Sequence, residues 1–141
     1  MAALRPFHLA IPVLDIESTR VFYVEVLGCS VGRECESWID FNFFGHQLSA
    51  HVSPGELSPS RTNSVDGEAV PVRHFGIVLA WDDWQAIAIR LRERGVTYLI
   101  EPTLRFKGYA GEQATLFILD PSGNALEFKS FKDERQLFAF N

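Results

Sequence analysis

Large apolar side chains alternate with small or polar ones along residues 7–13, FHLAIPV, which is the period of a half-buried strand. Phe7, Leu9 and Ile11 fall on one face and His8, Ala10 and Pro12 on the other. Pro12 cannot donate to a ladder, so it places the strand at a sheet margin or end. Asp15 is an N-cap for a helix over residues 16–27, with Ile16, Val21, Phe22, Val24, Val26 and Leu27 as its apolar stripe and Gly28 as its left-handed cap. Alternation resumes in WIDFNF (38–43) and QLSAHV (47–52), and the intervening Phe44-Gly45-His46 makes them a hairpin. Another strand is placed at residues 30–34. Trp38, Asp40 and Asn42 share one face of the hairpin, and Gln47 and Ser49 share the face of His51.

Ser, Pro, Gly, Asn and Asp dominate residues 53–72, which read as a surface connector rather than a folded piece. Beyond them the first pattern returns. In HFGIVL (74–79), His74, Gly76 and Val78 occupy one face and Phe75, Ile77 and Leu79 the other. Asp82 or Asp83 caps a helix over residues 84–94, with Trp84, Ile87, Ala88 and Leu91 at helical spacing and Gly95 closing it. Strands follow at 97–100, 114–119 and 125–128, the last two joined by the turn Asp120-Pro121-Ser122-Gly123-Asn124. Each half is therefore a strand, a helix and three strands. The chain reads as one domain (1–141) holding a first βαβββ module (5–52), a connector (53–72), a second module (73–130) and a tail (131–141). His74 repeats His8, and matching the fourth strands sets His51 against Glu127. The second half is longer between its helix cap and its last strand. The surplus is placed at EPTLRFKGYAGEQ (101–113), a lid or mouth loop.

Composition narrows the function classes. The chain has 141 residues, 47% of them hydrophobic and 12 of them Phe, enough for a core without metal or disulfide staples. A net charge of −5 and no cluster of Lys and Arg exclude nucleic acid as the expected partner. No apolar run is long enough for a membrane span and the N-terminus lacks an export signal, so the expected address is cytoplasmic. Cys29 and Cys35 are then expected as reduced thiols rather than a bridge.

Candidate chemistry lies in the repeat. His8, His51, His74 and Glu127 stand at matched strand positions, on faces away from the large apolar side chains. Imidazole and carboxylate donors suit Fe, Mn, Ni or Zn, and the lack of thiolate partners favours an open catalytic site over a closed structural zinc. A single strand-end histidine is more often a satisfied or exposed side chain, so the repeat is what singles these four out. Ala10, Gly76 and Val78 are small and leave room for a ligand beside the histidines. On the proposed loop, Arg105 and Lys107 are candidates for holding a substrate carboxylate or phosphate, and Tyr109, Glu112 and Gln113 are further polar candidates. Trp38 and Asp40 are candidates for lining the site, although an edge-strand carboxylate in water explains Asp40 equally well. Phe41, Phe43, Phe75, Phe117 and Phe128 are assigned to the core. Phe131, Leu137, Phe138 and Phe140 in the tail would be wasted in solvent, which points to packing on the domain itself or on a second copy.

FHLAIPVLDIESTRVFYVEVLGC at the start, RHFGIVL in the middle and LFILDPSGNALEF near the end together resemble the vicinal oxygen chelate superfamily. That superfamily includes glyoxalase I, extradiol dioxygenases, methylmalonyl-CoA epimerase, and the fosfomycin- and bleomycin-resistance proteins. The resemblance covers nearly the whole chain. It implies an α+β fold in which two βαβββ modules form a cup-shaped mixed sheet with helices on its outer face. It also implies a divalent metal (Fe, Mn, Ni or Zn) held from the first and last strands of the modules, at His8, His51, His74 and Glu127, and a homodimer.

The implied function is a metal-dependent enzyme acting on a small substrate with two adjacent oxygens, extradiol dioxygenase-like, with His51, Tyr109 and Glu127 in catalytic roles. Residues 117–127 follow the dioxygenase pattern of Tyr, two residues, acid, Pro, any residue, Gly and then Glu, except that Phe117 replaces the tyrosine. Lys107, Gly108 and Tyr109 stand where that pattern has an acid–base histidine. The alternatives are a glyoxalase- or epimerase-like isomerase or lyase using the metal as a Lewis acid, and a metal-free binding protein of the bleomycin-resistance type.

Overall fold

A strand, a helix and three further strands follow one another twice along the chain, which is the repeat expected, and each helix packs against the sheet of its own half. The computed structural model describes residues 3–140; Met1, Ala2 and Asn141, the ends of the expected domain, lie outside the described residues. The chain divides into two compact units, Met1–Ser58 with Asp120–Asn124, and Pro59–Leu119 with Ala125–Asn141. The fold is α+β, with the expected tandem modules appearing as two four-stranded sheets of the same internal order.

In the first unit β1 (His8–Val13), β2 (Ser30–Glu34), β3 (Trp38–Phe43) and β4 (His46–Val52) form a sheet of order β1-β4-β3-β2. The edge strand β1, which carries Pro12, runs parallel to β4. Asp15 caps α1 (Ile16–Arg20), its Oδ1 accepting from the Ser18 amide at 2.7 Å. The helix does not continue regularly to Leu27 as expected: Val21–Val26 is a π-helical stretch, with the Leu27 amide bonded to the Phe22 carbonyl at 3.0 Å. The wider turn rotates the stripe, so Phe22, Tyr23 and Leu27 are buried while Val21 is 45% exposed. Tyr23 stacks on Phe41, ring centroids 5.0 Å apart.

The Tyr23 hydroxyl donates to Asp120 Oδ2 at 2.9 Å. Asp120 Oδ1 accepts from the Ser122 and Asn124 amides, Asn124 Nδ2 donates to the Pro12 carbonyl, and the Leu14 amide donates to Ser122 Oγ. These bonds make the segment Asp120–Asn124 part of the first unit. Burial, with the Asp120 charge acting in the same direction, holds the Tyr23 phenol well above its ordinary range. Cys29 and Cys35 are both free thiols. Burial pushes Cys29 up to about 11.

In the second unit β7 (Phe75–Val78), β8 (Tyr98–Arg105), β9 (Gln113–Leu119) and β10 (Ala125–Phe131) form a sheet of order β7-β10-β9-β8, with β7 parallel to β10. The helix α2 (Trp81–Glu93) buries Trp84, Ile87 and Leu91, and Trp84 Nε1 donates to the Phe128 carbonyl at 2.8 Å. Its N-cap is Ala80 rather than Asp82 or Asp83, which puts Asp82 and Asp83 in the first turn where they complement the helix dipole.

Two further expectations are corrected. Residues 53–72 are not a plain connector: β5 (Thr62–Val65) and β6 (Glu68–Pro71) form a hairpin. Its turn residues Asp66 and Gly67 have φ of 48° and 80°, the left-handed pair of a type I′ turn. Val70 packs with Ile100 and Phe117, and Val65 lies against that cluster, so the hairpin has apolar cover despite its polar composition. Likewise, the first part of the proposed 101–113 loop is strand, because β8 runs to Arg105. Only the remainder is irregular, and it is tied to the C-terminal segment through Gly111 N to Gln136 Oε1 at 2.9 Å and Lys132 N to the Glu112 carbonyl at 3.1 Å. In the tail Phe131 is buried, whereas Phe138 and Phe140 are exposed.

Candidate functional site

Residues paired across neighbouring strands carry their side chains on the same face. In the second unit Glu127 pairs with Gly76 on one side and Phe117 on the other, and Lys129 pairs with Val78 and Thr115. The opposite parity, Leu116, Ile118, Leu126 and Phe128, is fully buried. The sheet therefore raises Glu127, Thr115, Phe117 and Lys129 together on its other face. His74, immediately before β7, brings its Nε2 to 3.3 Å from Glu127 Oε1. Its Nδ1–H donates to the Pro71 carbonyl at 2.7 Å, which turns Nε2 towards the carboxylate, to which it donates when the ring is protonated. The ring also meets Phe117 edge-on, centroids 5.0 Å apart. Glu127 Oε2 accepts from the Thr115 hydroxyl, and Lys129 Nζ lies 3.6 Å from Oε1, the oxygen that faces His74.

Gly76 serves a different purpose from the one expected. A Cβ there would lie 1.5 Å from the Glu127 carbonyl oxygen, so the missing side chain makes room for the backbone of Glu127 rather than for a ligand.

The electrostatics of the pair follow from these contacts. Burial by itself would raise the Glu127 carboxyl, but the hydrogen bonds from His74 and Thr115 and the charge of Lys129 hold it below its ordinary value of 4.5. The bond to Glu127 raises His74 above 6.5, helped by the Pro71 carbonyl and opposed by burial. A raised imidazole stabilises the fold below its unfolded value and loses that contribution as pH rises through its folded value. A lowered carboxylate stabilises above its unfolded value and loses that contribution as pH falls through its folded one. The pair is thus fully effective between pH 4.5 and 6.5. In chelator-treated protein the His74 ring resonances are expected to titrate above 6.5 and to return towards that value in Glu127→Gln; equal midpoints in the two proteins would contradict the coupling.

In the first unit the same parity argument puts His8, Ala10 and Pro12, Gln47, Ser49 and His51, and Trp38, Asp40 and Asn42 on one face. The registers join the two expected sets, Trp38 with Asp40 and Asn42 and His51 with Gln47 and Ser49, on that one face. Trp38 lies under the Arg33 guanidinium at 5.7 Å, and Asp40 accepts from the Ser49 hydroxyl at 2.5 Å. Asn42 Oδ1 accepts from the Gly45 amide and so braces the hairpin turn.

The matching of His51 with Glu127 is corrected by the registers. Ser49 pairs with Ala10 as Glu127 pairs with Gly76, so Ser49 holds the place of Glu127 and His51 that of Lys129. His8 stands opposite Gln47, four residues from His51 on β4. Two imidazoles rising from one face roughly 13 Å apart cannot meet at one ion within that unit. Among the described residues no three His, Cys, Asp or Glu side chains are grouped to hold a metal ion. His74 and Glu127 are the two expected ligands brought into contact.

The proposed substrate residues separate. Arg105 is 5% exposed, with its ζ carbon 5.8 Å from the Phe117 centroid. Lys107 is exposed. Tyr109 is 78% exposed and opens onto a cavity of about 880 Å³ lined in part by Glu112, Lys132 and Arg135, with neither His74 nor Glu127 in its lining. Glu112 is held below its ordinary value by the Gly108 amide and by Lys132, and serves to fasten the loop. Sequence reasoning missed Thr115, Lys129 and the Pro71 carbonyl. Parity could have found the first two, since Thr115 lies two residues from Phe117 and Lys129 two from Glu127.

A model of the Glyoxalase/Bleomycin resistance protein/Dioxygenase superfamily matches residues 5–128. Virulence protein STM3117 of Salmonella typhimurium is 26% identical over 124 residues, covering 88% of this chain and 82% of that protein. Glutathione transferase FosA of Serratia marcescens is 25% identical over 125 residues, covering 85% and 76%. Among solved structures, a glyoxalase/bleomycin resistance protein/dioxygenase from Alicyclobacillus acidocaldarius superposes with a TM-score of 0.79 at 34% identity, covering 94% of this chain and 95% of its own. No helix among the described residues is long and apolar enough to cross a membrane.

Proposed function

Because the chain belongs to the Glyoxalase/Bleomycin resistance protein/Dioxygenase superfamily, we propose that it is an enzyme holding a divalent metal on His8, His74 and Glu127 and acting on a small substrate with two adjacent oxygens. The observation that carries this reading is the His74–Glu127 pair. An imidazole nitrogen and a carboxylate oxygen 3.3 Å apart have the spacing of neighbouring ligands on an ion with bonds of about 2.1 Å. The Pro71 carbonyl behind His74 and the Thr115 hydroxyl behind Glu127 are the supporting partners that ligating side chains use to fix their orientation. An imidazole and carboxylate set without thiolate suits Fe, Mn, Ni or Zn. His8 is the proposed third donor because it holds in the first half the place of His74. It comes from the same chain or from a second copy, and a homodimer is the proposed assembly.

Once bound, the ion supplies Lewis acidity towards the paired oxygens of the substrate. Thr115 and Lys129 keep Glu127 ionised and aimed, and Phe117 shields one side of the pair from water. Lewis-acid addition or isomerisation is favoured over ring cleavage with O₂. The residue paired with Glu127 is Phe117, which handles no proton, and Tyr109 opens onto a separate cavity. A relative named as a glutathione transferase fits a transfer reaction. A second reading, extradiol cleavage, rests on Asp120-Pro121-Ser122-Gly123 ahead of Glu127. That run has a structural explanation, since the Asp120 carboxylate accepts from Tyr23 and from the amides of its own turn.

The test loads chelator-treated protein with Fe(II), Mn(II), Ni(II) or Zn(II) in turn. Each is assayed on hemithioacetals, on epoxides with glutathione, and on catechols with an oxygen electrode. Saturable binding of at least one ion is expected, with turnover on the first two substrate groups and no O₂ uptake. Fe(II)-dependent O₂ uptake on a catechol would replace the Lewis-acid reading with the second. Refusal of all four ions would overturn both.

A further inference from the structure

Arg105, at the end of β8, is 5% exposed, and its Nε and Nη2 have no hydrogen-bond partner among the described residues. A guanidinium stays cationic in proteins, and burying one unpaired is costly. The buried carboxylate on the same sheet, Glu127, is already engaged by His74, Thr115 and Lys129. The two orphaned donors are not an arbitrary pair. Nε–H and Nη2–H point in parallel from one edge of the guanidinium, the edge that accepts two oxygens of a carboxylate, phosphate or phosphonate side-on. Arg105 pairs with Gln113, so its side chain must run along the sheet to stand over Phe117, where its ζ carbon is 5.8 Å from the ring centroid. Phe117 in turn meets His74 at 5.0 Å. One phenyl ring therefore touches both the unpaired cation and the His74–Glu127 pair.

We propose that Arg105 is the seat of an oxyanion on the substrate, a carboxylate or a phosphonate or phosphate group bound side-on through Nε and Nη2. The substrate class is then a small anionic molecule whose charged group lies a few atoms from its reacting oxygens. The position of those oxygens at His74 and Glu127 rests on the metal reading above, whereas the anion site does not.

The test is made on metal-free wild-type protein in chelator, with glycolate, methylphosphonate and, as a neutral control, glycolamide. Binding is read from the Arg105 Nε–H resonance and the melting temperature. At least one anion is expected to shift the resonance and raise Tm while glycolamide does neither, and which anion does so identifies the group. Arg105→Lys, which keeps a charge but loses the fork, is expected to weaken binding at least tenfold. Arg105→Met, which keeps the stem, is expected to abolish binding and to raise the Tm of the ligand-free protein, because it removes an unpaired buried charge.

Failure of both anions to bind wild type, equal binding by Arg105→Met, or a ligand-free Arg105→Met less stable than wild type would overturn the proposal. His74→Ala separates the two readings, since it is expected to lose metal and keep anion binding. If wild type takes up no metal, only the metal reading fails; if it takes up metal and no anion, only this one does.

Discussion

Glu127→Gln is expected to lower divalent-metal affinity by roughly 100- to 1,000-fold, about 3–4 kcal/mol, while the protein remains folded. The amide has the shape of the carboxylate but none of its charge, and its oxygen is a poor donor to an ion that prefers imidazole and carboxylate. The environment of Glu127 is built for the ionised form: Thr115 donates to Oε2, Lys129 stands 3.6 Å from Oε1, and His74 3.3 Å from the same oxygen. Thr115→Val removes only the supporting hydroxyl and should cost about tenfold. Competition against a chelating dye measures both. Wild-type affinity in Glu127→Gln would mean that any bound ion is held elsewhere.

Gly76→Ala carries the largest expected cost to stability, on the order of 3 kcal/mol or more. The added methyl would fall 1.5 Å from the Glu127 carbonyl oxygen, a backbone atom that no side-chain rotation can move aside. Relief requires β7 to shift from β10, which breaks the parallel ladder between Phe75–Val78 and Leu126 to Lys129 and carries Glu127 with it. Urea unfolding should show the loss directly, and metal affinity should fall as well. Val78→Ala, two residues along on the same face and 40% exposed, should cost less than about 1 kcal/mol. Equal, small effects of the two substitutions would contradict the close approach at Gly76.

Much of this site can be read from side-chain parity. The period of two assigns His8, Ala10 and Pro12, or His74, Gly76 and Val78, to one face without coordinates, and the tandem pattern of strand, helix and three strands survives intact. Parity is also where the reading fails. A shift of two residues leaves every side chain on its expected face, so neighbours such as Ala50 and Val52 could not show that Ser49, rather than His51, holds the place of Glu127. The β5–β6 hairpin was obscured by its polar strands, although Asp66-Gly67 between Val65 and Val70 carried a turn signal. The π-helical stretch in Val21–Val26 has no compositional mark. It exchanges the expected stripe for one that buries Tyr23, and with it the anchor for Asp120. Arg105 was legible as a cation near the site, but its burial depends on β8 running on to residue 105, where composition suggested a loop.

The most direct single measurement is an anomalous-difference map from crystals grown with Mn(II), Ni(II) or Zn(II). One peak is expected, bonded to His74 Nε2, a Glu127 carboxylate oxygen and a His8 imidazole, with His51 outside its coordination shell. A peak on His51 instead, or an ion bound with His74 and Glu127 still bonded only to each other, would contradict the assignment of the metal centre.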